Sequence, residues 1–162
     1  DKSLTDGVKF AMLRNISSRF KYSCFVNIVE EMELNLYPES QRSVLFDLLS
    51  YANKIELNRL VLTTHSPYVI NYLTLAAKAF LLTQKISANE TLQERIKEVV
   101  PADSAIDPAR LRIYELKDGG VFRLSTYEGL PSDENFLNIQ LGVTNELFDQ
   151  LLEIEQEFDY KN

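Results

Sequence analysis

The 162-residue chain is 45% hydrophobic, enough for one domain with an enclosed core, and its 5 Gly and 5 Pro leave no low-complexity or linker-like stretch. Its 17 basic and 24 acidic residues give a net charge of −7, which makes this segment a poor candidate for gripping nucleic acid, and no apolar run approaches the ~20 residues that cross a bilayer. Cys24 is the only cysteine, so no internal disulfide forms; with no signal peptide visible, a reducing, cytoplasmic setting is expected.

In chain order, apolar residues at Val8, Met12, Leu13 and Ile16 predict a helix over 7–19. The run CFVNIV, 24–29, is short, β-branched and aromatic, and predicts a buried strand. Asn27 is out of place in such a strand, since an unpartnered buried amide costs ~1–3 kcal/mol. Pro38 suits the first position of a helix and Glu39 its positive end. That helix should reach about Ile55, with Val44, Leu45, Leu48, Leu49, Ala52 and Ile55 on one face. RLVLTT, 59–64, predicts a second strand, parallel to the first across a βαβ unit. Another helix should follow Pro67 and run to about Gln84.

Ser87 with Glu90, or Thr91 with Glu94, predicts a capping box for a helix ending before Pro101. Residues 110–127 predict a β-hairpin turning at Asp118-Gly119-Gly120. Leu147, Phe148, Leu151, Leu152 and Phe158 mark a final acidic amphipathic helix. The expected fold is α/β: a parallel sheet core with flanking helices, then a hairpin and a C-terminal helix. Residues 1–130 form the main unit and 131–162 its helical extension.

The chemistry concentrates where these strands end. VNIVEEMELNLYPESQ, 26–41, places Glu30, Glu31 and Glu33 within four residues. In open α/β sheets, ligands bind beyond the carboxyl ends of the strands. Successive strand residues point opposite ways, so two adjacent acids there can take two roles. One can hold the water shell of Mg²⁺, a hard cation that favours oxygen; the other can orient or deprotonate an attacking water. Phosphoryl transfer uses that division of labour. A solvated acidic loop would give the same pattern. His65, the only histidine, ends the second strand in TTHSPY. A lone histidine is more often structural than catalytic, but this one shares a βαβ unit with Glu31, and its ring can donate to a phosphate oxygen.

IVEEMELNLYPESQ resembles the Walker B and D-loop region of ABC-type ATPases, in particular their SMC/RecF-like and OLD-like branch. LVLTTHSPYVI resembles the H-loop of that branch, and SLTDGVKFAML, 3–13, resembles its signature motif. The three motifs occur in the family's order and cover about residues 3–75. Met32 stands where the branch usually has Pro, Tyr37 where it has His, and Asp6 at the signature's variable position. The resemblance implies that Glu30 is the Walker B acid on the Mg²⁺ water shell and that Glu31 is the catalytic carboxylate. It implies that His65 is the switch histidine near the γ-phosphate, and that 35–41 hold the D-loop. Thr5 and Gly7 would touch the γ-phosphate of ATP held by a second head. A P-loop, G-x-x-x-x-G-K-[ST], occurs nowhere in the chain. The chain is therefore expected to be the C-terminal half of a split head, with the phosphate-binding lobe upstream.

On that resemblance the chain serves an ATPase that sandwiches ATP and Mg²⁺ between two heads of a homodimer, away from membranes. DNA would be met through regions outside the chain, and DNA repair and phage defence are processes that use such heads. Two alternatives stay open. One is a degenerate, non-catalytic head acting as a dimerisation or partner-binding module. The other is a Mg²⁺-dependent nuclease-type site built on Glu30, Glu31 and Glu33.

Overall fold

The computed structural model describes residues 24–160. The expected helix over 7–19, with Thr5 and Gly7 at its start, lies outside the described residues. The rest is α/β, as the sequence predicts.

Strand β1 (Val26–Val29) and strand β2 (Arg59–Leu62) pair in parallel, Val26 opposite Arg59 and Val29 opposite Leu62. Helix α1 (Pro38–Asn53) connects them, with Pro38 in its first turn and Glu39 at its positive end. Helix α2 (Pro67–Lys85) follows β2 and also starts on a proline. The core lies where α1 and α2 meet: Leu45, Phe46, Leu48 and Leu49 pack with Val69, Leu73, Ala76 and Ala79. Val29, Leu60 and Leu62 close it from the sheet side. Each large aliphatic side chain enclosed there contributes about 1.5–3 kcal/mol.

Among the described residues, the sheet is covered on one side only. Asn27 and Val29 face inward and are half-buried, while Val26 and Ile28 are 61% and 69% exposed. The expectation of a buried strand is corrected: among the described residues, alternate positions of β1 and β2 stay exposed, so only one face is covered. Asn27, half-buried, avoids the cost of a fully enclosed amide.

Helix α3 (Glu90–Val99) is capped by Asn89, whose side chain accepts from the Leu92 N–H at 3.1 Å. Neither expected capping box forms, because the helix begins at Glu90, between the two serine and threonine candidates. Beyond it, a short 3₁₀ turn at Ala102–Ser104 is fastened to α1. Ser104 Oγ donates to the Phe46 carbonyl at 2.8 Å, and Asn53 donates to the Asp103 and Ala105 carbonyls.

Strands β3 (Tyr114–Lys117) and β4 (Gly120–Arg123) form the expected hairpin. Asp118 and Gly119 both have positive φ, 51° and 73°, the two-residue turn whose twist matches a hairpin. A second, smaller hairpin follows, β5 (Thr126–Tyr127) with β6 (Leu130–Pro131), turning at Glu128-Gly129 by the same geometry. Helix α4 (Phe136–Asp159) ends the fold, capped by Asn135.

Candidate functional site at the carboxyl ends of the parallel strands

Both parallel strands end at one place, and the chain there is held by backbone and side-chain bonds between the two ends. The Thr63 N–H donates to the Val29 carbonyl at 3.1 Å. The Glu31 N–H donates to both oxygens of Thr63, the carbonyl at 3.0 Å and Oγ1 at 3.1 Å. The pairing of β1 with β2 thus continues two residues past the strands, into the segment that carries the acids.

After Glu31 the chain turns sharply. Leu34 N–H donates to the Glu31 carbonyl, and Leu36 N–H to the Glu33 carbonyl. Glu31 has φ +45° and Asn35 φ +59°. Asparagine adopts the left-handed region readily; glutamate does not, and the strain is of order 1–3 kcal/mol. Strain of this kind collects at functional sites, where the surroundings over-determine it, and here two oxygens of Thr63 share the Glu31 N–H. Met32 folds under the turn and joins the core at 5% exposure. It fills with packing the position where the resembled branch has a stiff proline.

The turn brings Glu31 and His65 together. His65 Nε2 lies 3.7 Å from Glu31 Oε1, just outside hydrogen-bond length and within reach of charge pairing if the imidazole is protonated. The His65 side chain is 83% exposed and that of Glu31 42%, so both present themselves to a ligand. Glu30, the last residue before the turn, is also exposed. Behind His65, Ser66 precedes the first turn of α2, where its hydroxyl could cap the helix. It instead donates at 2.7 Å to Gln41 Oε1, whose amide in turn donates to the Leu36 carbonyl. This buried relay ties the base of α1 to the base of α2.

Glu33 reaches across as well. Its Oε1 accepts from the His65 backbone N–H, and its Oε2 is enclosed without a hydrogen-bond partner among the described residues. Sequence reasoning counted Glu33 only as the third acid of a cluster; nothing in its spacing announces a bond 32 residues away. Thr63 was likewise read only as the end of a strand. The relay from Gln41 to Ser66 also had no sequence signal beyond the presence of both residues in the resembled motifs.

A magnesium ion needs few protein ligands, because it keeps several waters and takes others from substrate phosphates. An exposed carboxylate at the end of β1, such as Glu30, fits that requirement. Among the described residues, no three His, Cys, Asp or Glu side chains group closely enough to hold a metal by themselves. Among the same residues, no helix is long and apolar enough to cross a membrane.

No curated protein and no solved structure matches the chain. Residues 26–71 match the family model described as "AAA domain, putative AbiEii toxin, Type IV TA system". The match begins at the first residue of β1 and ends in α2, so it encloses the whole strand-end site. This part of the chain is a P-loop ATPase-like region.

Proposed function

We propose that the chain is the C-terminal part of an ATPase head of the SMC/RecF/OLD-like kind, which hydrolyses ATP between two heads in the cytoplasm. The observation that carries this reading is the pair formed by Glu31 and His65 at the ends of adjacent parallel strands, 3.7 Å apart and open to solvent. It is supported by the match over 26–71, which spans both residues.

In this reading Glu31 is the general base. Its carboxylate accepts the proton of the attacking water, to which a 42% exposed side chain is open. His65 donates a hydrogen bond to an oxygen of the transferred phosphoryl group, where charge develops. Glu30 would hold Mg²⁺ through its water shell; when bound, the ion neutralises phosphate charge. Thr5 and Gly7 would meet the γ-phosphate held by the second head. The β- and γ-phosphates would be cradled by a P-loop outside this chain, since the chain has no such motif. Any contact with DNA would be made outside this chain too.

Calorimetry tests the division between lobes. Titrated with ATP and Mg²⁺, the chain alone should give little heat, and a head completed with a P-loop lobe should bind and turn over ATP. Micromolar binding by the chain alone would overturn the architecture.

A further inference from the structure

Glu33 is the one acid of the cluster that the proposed chemistry leaves without a task, and it is the one most committed by its contacts. Its Oε1 accepts from the His65 N–H at 2.5 Å, while Oε2 is shut from solvent with no donor among the described residues. Enclosing a carboxylate oxygen without a donor is costly, and a native fold rarely does it for packing alone. A charge-assisted bond to a backbone N–H is about twice as strong as a neutral one.

We propose that Glu33 is a positioning residue: its carboxylate holds the His65 backbone, and so sets the imidazole against Glu31. The proposal rests on the ATPase reading above. The His65 side chain is 83% exposed, so the placement of its ring depends chiefly on its backbone. Glu33 is itself fixed, because its carbonyl accepts from Leu36 N–H in the turn that also shapes Glu31. One short turn therefore carries Glu31 and the group that grips its partner. Thr63 fixes the acid, Glu33 fixes the histidine, and both bonds run between the same two strand ends.

His65 is the only histidine, so selective ¹⁵N-histidine labelling gives a single backbone amide signal. In the full chain, Glu33→Ala should move that signal upfield and speed its hydrogen exchange. Glu33→Gln keeps an acceptor and should leave both near the unsubstituted chain. In a head completed by a P-loop lobe, Glu33→Ala should lower kcat for ATP by about 10- to 100-fold, as a misplaced group does, with KM little changed. Glu33→Gln should recover most of that loss. An unchanged His65 amide in Glu33→Ala overturns the clamp. A lost clamp with intact kcat overturns the positioning role, as does a Glu33→Gln variant no better than Glu33→Ala. Should Glu33→Ala fail to fold, Glu33→Gln decides alone: a His65 amide shifted from its native position with kcat retained counts against the proposal, and both retained supports it. An unsubstituted completed head without turnover overturns the ATPase reading itself, and the role of Glu33 with it; because that control carries no substitution, the two failures are distinct.

Discussion

The strand-end region, 24–71, and the C-terminal helix α4 use apolar residues in opposite ways. In the first, apolar side chains from α1 and α2 lock together, and polar side chains bond across 25 to 33 residues of sequence. In α4, Leu147, Phe148, Leu151 and Ile154 stand exposed, Leu151 at 63%. The helix carries acids and no Lys or Arg between residues 136 and 159. An amphipathic stripe ordinarily buries itself. Here it is laid bare among the described residues, as is the outer face of β1. The proposed site sits where α1 and α2 lock together, and the family match stops before α4.

The largest effect expected from this contrast is catalytic. In a head completed by its P-loop lobe, Glu31→Gln keeps the shape of the side chain but not its basicity. Turnover should fall by ~10²–10⁴, with ATP binding retained and an ATP-bound dimer accumulating on size exclusion. Near-normal turnover would pass the role of base to another group, Glu30 first.

Stability separates the two regions next. Leu45 is fully enclosed, and Leu45→Ala should cost ~2–5 kcal/mol in denaturant unfolding. Leu151→Ala should stay within about 0.5 kcal/mol in the isolated chain. A large loss at Leu151 would mean that α4 is covered in solution, and would erase the difference between the regions.

Much of the fold was legible because short-range rules govern it. Proline at the first helical turn, β-branched runs and the Asp118-Gly119 turn act locally, and each appears where the sequence places it. The second hairpin was missed although Glu128-Gly129 repeats the same device, a small turn signal hidden behind the first. The capping of α3 was misread because Asn89, a cap as good as serine, was passed over for box spacing. The pairing of Glu31 with His65 could be expected from topology alone, since parallel strands end together. The grip of Glu33 on His65 could not, because it depends on the path of a turn with two left-handed residues.

His65 tests whether the site is separable from the core that supports it. Its side chain is 83% exposed, so His65→Ala should leave the melting temperature of the chain nearly unchanged. A structural histidine would cost ~1–3 kcal/mol on truncation. In the completed head the same change should lower turnover by ~10²–10³, the usual loss for one donor at developing charge. A chain that melts ~4–8 °C lower while the head keeps its turnover would make His65 a structural residue and undo the assignment.

The smallest effect belongs to Asp47, on the part of α1 next to Asp103 of the Ala102–Ser104 turn. Burial pushes its carboxyl above the usual range, and the neighbouring carboxylate of Asp103 pushes it the same way. Asp103 is held in place by Ser50, whose hydroxyl donates to it at 2.7 Å. A carboxyl whose folded pKa is raised binds its proton more tightly in the native state than in the unfolded one. It therefore removes stability as pH rises through the interval that starts near its ordinary value of 3.8, and the loss remains in full at neutral pH. Asp47→Asn lifts that penalty and leaves the hydrogen bonds of Asp103 in place. The gain should be within about 0.5 kcal/mol, since solvent screens the pair. It should be present at pH 7 and vanish near pH 3, where the unsubstituted carboxyl is protonated in both states. A gain that persists unchanged at pH 3 would assign the effect to packing rather than charge.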